Sequence, residues 1–136
     1  MAYRCFDVDI AEKIAHIQLN RGDELNTMLP EFWREIQQIV RDIDHEAKAR
    51  VIVISSTGKH FSAGMDLSVF TSGNSVGTAA ANSANERGRV RANLRQGVLD
   101  IQETFNVLDR ARMPVLVAIQ GGCIGGAVDM TSACDC

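Results

Sequence analysis

The spacing of apolar residues changes period several times along the chain, and each change marks an element. Tyr3 to Asp9 alternates weakly and Lys13 to Leu19 alternates well, with Ile14, Ile17 and Leu19 as its apolar set. Separated by Ile10-Ala11-Glu12, these two runs predict antiparallel strands. The polar loop Asn20-Arg21-Gly22-Asp23-Glu24 follows. Pro30 suits the first turn of a helix, and Glu31 is placed to complement its dipole. From there Phe32, Ile36, Ile39, Val40, Ile43 and Ala47 recur at steps of three and four, which predicts an amphipathic helix with Trp33 anchoring the same face. Val51 to Ser55 is a continuous β-branched run and reads as a buried strand. Thr71 to Asn85, rich in Ser, Gly, Asn and Ala, reads as a loop or linker within the domain. A second helical pattern begins at Glu86 and passes through Val90, Leu94, Val98, Ile101, Phe105 and Leu108. Gly97 weakens it and Met113-Pro114 ends it. Val115 to Ile119 is another buried strand, and beyond Gly121, Gly122, Gly125 and Gly126 the small residues Ala127 to Cys134 can continue as a helix. Strands alternating with helices argue for an α/β layered fold with largely parallel pairing.

Composition narrows the class without choosing within it. The 136 residues suit one small domain, and 46% hydrophobic with 23% charged residues is an ordinary globular balance. A net charge of −3 and 5% aromatic residues, with no basic stripe, argue against nucleic acid and against an anionic membrane surface. No apolar run approaches the roughly 20 residues that span a bilayer, and the opening residues lack the apolar core of a secretory signal. Cys5, Cys123, Cys134 and Cys136 form no paired CxxC and have no His at zinc spacing, so no metal site is expected and the thiols read as reduced and mostly buried. His16, His45 and His60 pair with no nucleophile and read as surface or loop residues. Gly58-Lys59 lacks the leading glycine and the following hydroxyl residue of a phosphate-binding loop.

Two places carry candidate chemistry, and they have the same form. Val51–Ser55 leads through Ser62-Ala63-Gly64-Met65 toward a helix, and Val115–Ile119 leads through Gly121-Gly122-Cys123-Ile124-Gly125-Gly126 toward another. If the strands are parallel neighbours, both turns emerge at the carboxyl edge of the sheet, where α/β folds bind ligands. One main-chain N–H from each could then converge on a single oxygen as an oxyanion hole, with Asp129 one turn into the helix as an ionisable neighbour. The plainer reading is two loops that share an edge, their glycines letting a helix pack close to a strand.

Three ordered segments carry a family resemblance. Phe61-Ser62-Ala63-Gly64-Met65-Asp66-Leu67 resembles the F-x-A-G-x-D-[LI] segment of the enoyl-CoA hydratase/isomerase (crotonase) superfamily. Ile17-Gln18-Leu19-Asn20-Arg21 with Leu25-Asn26 is similar to its L-N-R-P…N-A stretch, and Ala118 through Asp135 to its glycine-rich block ending in C-D. Gly121-Gly122-Cys123-Ile124-Gly125-Gly126 followed by Val128-Asp129, with Gln102, Thr104 and Phe105 in the long helix, looks most like the Δ3,5-Δ2,4-dienoyl-CoA isomerase branch. The resemblance implies a crotonase-like ββα spiral core, with residues 1–136 as the N-terminal half of an acyl-CoA-binding, catalytic domain. It places the oxyanion amides on Met65 and Gly126 and puts Asp129 in the acid group, without making it the base. Glu24, Thr27, Ala63 and Leu67 fall where the family meets coenzyme A, which is part of the substrate, so no separate cofactor is implied. Asp66 and Asp135 match family positions but read as structural caps or salt-bridge partners.

The implied function is isomerisation of a dienoyl-CoA in fatty-acid β-oxidation, with further acids from sequence beyond residue 136. The alternatives are an enoyl-CoA hydratase and a catalytically incomplete CoA-binding or assembly module. A homotrimer or a dimer of trimers is implied for the complete protein, cytoplasmic in a bacterium and mitochondrial or peroxisomal in a eukaryote. One departure stands out: the family tends to carry Pro then a basic residue where this chain has Gly22-Asp23-Glu24, two carboxylates that would repel the phosphates of coenzyme A.

Overall fold

The computed structural model describes residues 2–71 and 84–136. Eight elements follow one another: β1 (Phe6–Ala11), β2 (Ile14–Leu19), α1 (Pro30–His45), β3 (Val51–Ser56), α2 (Ser68–Thr71), α3 (Ala84–Asp109), β4 (Val115–Val117) and α4 (Gly126–Ser132). The sheet order is β1-β2-β3-β4, with β1 antiparallel to β2 and the remaining pairs parallel. The hairpin turns on Glu12 and Lys13, both left-handed at φ 50° and 67°, the geometry of a two-residue type I′ connection. Ile10 and Ala11 therefore belong to β1 rather than to the turn expected at Ile10-Ala11-Glu12.

Register decides which residues enter the core. Ile17 pairs with Val8 and with Ile54, and Ala15 pairs with Ile10 and with Ile52, so these side chains share one face of the sheet. Ala15, Ile17, Leu19, Ile52, Ile54 and Val115 are buried there, with Phe32, Trp33, Ile36, Ile39, Val40 and Ile43 of α1 in the same core. The rings of Phe6 and Phe32 meet at 4.7 Å between centroids. Ile14, counted in the apolar set of β2, has the opposite parity and is exposed. The other face carries His16, Gln18, Val51, Val53, Ser55 and Leu116, all partly or fully exposed. So β3 is buried on one face only, not on both as its unbroken β-branched run suggests. On that open face His16 Nε2 and Ser55 Oγ lie 2.7 Å apart.

The helical period of α3 holds throughout, but burial does not follow it. Thr104, Val107 and Leu108 are buried, whereas Leu94, Val98 and Leu99 are exposed. Only the second half of the helix packs on α1, where Gln37 Nε2 donates to Thr104 Oγ1 (3.0 Å) and Arg41 pairs with Glu103 (3.1 Å). Of the stretch Thr71–Asn85 expected as a loop, Thr71 ends α2, residues 84 and 85 open α3, and 72–83 lie outside the described residues. The helix after the glycine turn stops at Ser132, two residues short of Cys134. Asp135 and Cys136 instead run beside β4, with Asp135 N–H donating to Val115 O (2.9 Å) and Val117 N–H to Cys136 O (2.8 Å). All four cysteines are free thiols, but only Cys5 is buried; Cys123 and Cys134 are half-buried and Cys136 is exposed.

Candidate active site at the two turns

Parallel pairing of β3 with β4 sends both following turns off the same edge. The turns then pair with each other. Ser62 N–H donates to Gly122 O (3.2 Å) and Ile124 N–H to Ser62 O (3.1 Å). Upstream, the Gln120 side chain donates to Ser56 Oγ (2.8 Å) and Ser56 O (3.1 Å). On its other side the first turn pairs with the segment before α1: Met28 N–H donates to Gly64 O (2.8 Å) and Asp66 N–H to Met28 O (3.1 Å). In such a parallel bridge the N–H of the intervening residue, Met65, is directed away from Met28.

Gly64 is where the two turns touch. Its φ is +86°, and a Cβ built there would lie 2.6 Å from Ile124 O, so only glycine suits both the conformation and the space. A Cβ on Gly125 would in turn sit 3.9 Å from Gly64 Cα. Met65 and Gly126 are the next residues along each turn. Among the described residues neither amide donates a hydrogen bond within the fold. Gly126 opens α4, whose first N–H groups have no intrahelical acceptor. The arrangement can offer two main-chain donors to an oxygen that gains negative charge.

Asp129 lies in the first turn of α4, exposed, on the wall of a cavity of about 630 Å³. The other lining residues are Val98, Ile101, Gln102, Phe105 and Asn106 of α3. Thus the structure brings Asp129 and the Gln102–Phe105 stretch, two separate features of the sequence, to one groove between α3 and α4. Its walls are largely apolar, with a carboxylate, a carboxamide and Asn106 as the polar groups.

The other candidate residues separate. Ala63 lines a smaller apolar cavity of about 220 Å³ with Leu25, His60, Ser62, Gly122 and Ile124. Leu67 is 78% exposed and lines neither cavity. Thr27 donates its hydroxyl to Asp66 (2.8 Å), and Glu24 is ion-paired with Arg21, which also donates to Thr27 O (2.7 Å). The Arg21 guanidinium therefore offsets one of the two carboxylates in the polar loop. Asp66 caps α2: the Ser68 hydroxyl, the Thr27 hydroxyl and the Ser68 N–H hold its carboxyl down at about 2. Asp135 accepts from Val115 N–H (2.8 Å), which is likewise structural. Burial pushes the thiols of Cys5 and Cys134 up to about 11, so neither is a ready nucleophile.

Two residues of the quoted motifs have supporting roles that pattern reading does not give. Asn26 is buried at φ 49° and ties three strands of loop together, donating to Thr57 O (2.7 Å) and His60 O (3.3 Å) and accepting from Arg21 N–H (3.0 Å). Its side-chain type, tolerant of the left-handed region, was the available signal. Ser62 is fully buried, donates to Asn26 O (2.8 Å) and accepts from Gly64 N–H (3.1 Å). His60 is a half-buried acceptor rather than a free loop histidine: Gly122 N–H donates to its Nδ1 at 2.8 Å.

Comparison with known proteins gives the family and the fold. A family model described as enoyl-CoA hydratase/isomerase matches residues 9–136. The mitochondrial Delta(3,5)-Delta(2,4)-dienoyl-CoA isomerase of Homo sapiens is 39% identical over 135 residues, 98% of this chain and 40% of that protein. The peroxisomal enzyme of the same name from Arabidopsis thaliana is 36% identical over 122 residues, 90% of this chain and 42% of that protein. Among solved structures, a Thermobifida fusca YX protein assigned as an enoyl-CoA hydratase and bound to acetoacetyl-CoA superposes with a TM-score of 0.76 at 27% identity, over 96% of this chain and 49% of its own. An enoyl-CoA hydratase from Shewanella pealeana ATCC 700345 gives a TM-score of 0.78 at 20% identity, over 98% and 45%. The chain spans about two fifths of the length of those two curated relatives.

Proposed function

From the premise that the chain belongs to the enoyl-CoA hydratase/isomerase family, we propose that the complete protein isomerises a 3,5-dienoyl-CoA to the 2,4-dienoyl thioester. Met65 and Gly126 N–H groups hold the thioester carbonyl oxygen. A base takes a proton from C2, the electron pair delocalises through the diene to C6 as a dienolate, and an acid returns a proton at C6. Charge collects on the held oxygen in between, which is when two preorganised donors matter most; removing one such donor typically costs on the order of 3 kcal/mol of transition-state stabilisation. Asp129 belongs to the group that moves the protons, with the other acids supplied by sequence beyond residue 136. The apolar wall of Val98, Ile101 and Phe105 suits an acyl chain, and the small cavity beside Ala63 suits the arm of coenzyme A. Glu24, Thr27 and Leu67 edge that approach. Coenzyme A arrives as part of the substrate, and no separate cofactor is invoked.

The observation that carries this reading is the contact of the Gly64 and Gly125 turns, each followed by an amide without an acceptor in the fold. Isomerisation is preferred to hydration because Asp129 is one methylene shorter than the glutamate a hydratase uses, and about 1 Å of misplacement can cost on the order of 100-fold. We read the complete protein as an oligomer, a trimer or a dimer of trimers, as the family resemblance implies. Its compartment is mitochondrial or peroxisomal in a eukaryote and cytoplasmic in a bacterium.

The test supplies the full-length protein with 3,5-dienoyl-CoA and, separately, with 2-enoyl-CoA. Appearance of the conjugated 2,4-dienoyl chromophore is expected from the first, and Asp129→Asn lowers that rate on the order of 100-fold or more. Hydration of the second without isomerisation of the first makes the protein a hydratase. Conversion of neither, with coenzyme A still bound, leaves a binding module and overturns both enzymatic readings.

A further inference from the structure

The glycine turn is held to its neighbour at regular intervals, and two of the ties are made by side chains, Gln120 and His60. Gln120 is fixed by Ser56, Gly122 O by Ser62 N–H, and Ile124 N–H by Ser62 O. The remaining backbone group of this ladder, Gly122 N–H, is met by His60 Nδ1 at 2.8 Å. The Gly122 peptide is thus gripped at both ends by residues 60–62, and four residues later comes the Gly126 amide. The approach is close, and at Gly121 it leaves no room for a side chain, since an added Cβ would stand 2.3 Å from Lys59 O. A Cβ on Gly122 would stand 3.2 Å from His60 Nδ1, and one on Gly121, at φ +59°, would meet Nδ1 at 2.8 Å. Because Nδ1 accepts, the neutral ring carries its proton on Nε2.

We infer that His60 is a positioning residue for the thioester reaction: by accepting the Gly122 N–H it locks the β4–α4 turn against the β3–α2 turn and so fixes the separation of the Met65 and Gly126 amides. The inference rests on the reading of those two amides as the oxyanion donors. With no acceptor at position 60, Gly122 N–H turns to water, the ladder keeps its Gln120 and Ser62 ties, and the turn can shift by a fraction of an ångström at the place where alignment governs rate. His60 itself transfers no proton.

The experiment compares full-length wild type with His60→Ala, His60→Gln and His60→Asn. Asn offers its Oδ1 about where Nδ1 lies; Gln fills the space but carries its acceptor one bond too far. Expected for Ala and Gln is a fall in kcat on the order of 10- to 100-fold, exceeding any rise in KM, with rescue by Asn. With acetoacetyl-CoA as probe, the near-ultraviolet band of its bound enolate should weaken in Ala and Gln and return in Asn. Hydrogen exchange should quicken across residues 120–127 in the same two variants and be restored in Asn. If the wild type converts neither thioester, the proposed function fails and the catalytic part of the inference with it; exchange then decides the locking of the turn by itself, which restoration by Asn supports. Unchanged exchange in Ala and Gln overturns it, as does loss of activity that tracks a lowered Tm in all three variants alike.

Discussion

At the scale of the residue, the two glycines beside the candidate donors do different work. Gly64 combines a left-handed φ with a Cβ position 2.6 Å from the Ile124 carbonyl oxygen, so Gly64→Ala must both strain the backbone and push the turns apart. Each effect alone is on the order of 1–3 kcal/mol. Gly126 has helical backbone, and the atom its Cβ would meet first is Met28 Sδ at 3.0 Å, on a side chain that can swing aside. Gly64→Ala is therefore expected to lower Tm markedly and abolish turnover, whereas Gly126→Ala loses clearly less of both; thermal melts and steady-state rates of the two variants check the ranking. The turns themselves were legible as glycines between a β-branched run and a small-residue stretch, a pattern that equally lets a helix pack close to a strand. What held them was not legible. His60 read as an ordinary loop residue since its partner is a main-chain N–H 62 positions away, and no period or spacing encodes such a bond.

Among the elements, α2 depends most on a single charge. It is four residues long, and Asp66 supplies its cap by accepting from Ser68 and from Thr27, which joins the helix start to the loop before α1. The folded carboxyl sits at about 2, below the ordinary 3.8, so its contribution to stability is fully present above about pH 4 and is lost as the pH falls toward 2. Arginine and backbone partners lower Glu31, Asp44 and Glu103 as well, so Asp66 is one contributor to a shared acid slope. Asp66→Asn is expected to flatten that slope between pH 4 and 2 and to leave the other contributions in place, as denaturant midpoints measured at half-unit pH steps will show. Element type was readable nearly everywhere because the periods are long and clean, α1 above all. Burial was harder: the stripe of α3 is continuous in sequence, yet the described residues leave Leu94, Val98 and Leu99 exposed.

The whole molecule shows the same imbalance. One face of the sheet is a closed core, while the other leaves Ile14 and Leu116 exposed, and Ile119, Ile124 and Val128 surround the glycine turn without cover. Apolar patches of this kind on a free surface associate. Residues 1–136 produced alone are expected to bind a hydrophobic dye strongly and to form polydisperse assemblies in sedimentation velocity; a full-length preparation should give one discrete species with weak dye binding. A monodisperse, dye-silent fragment would contradict the reading of these surfaces as unfinished. The fold class was legible from the alternation of strand and helix, but the sheet's one-sidedness was not, since a β-branched run looks the same whether one face or both are covered.

Stickiness of this sort has a direction. Asp135 and Cys136 already occupy the hydrogen-bonding groups of Val115 and Val117, so the outer rim of β4 offers no free ladder to a stranger's strand. At that rim clumping should then proceed through side chains rather than by strand addition, which leaves the edge of β1 as the place where a strand can add.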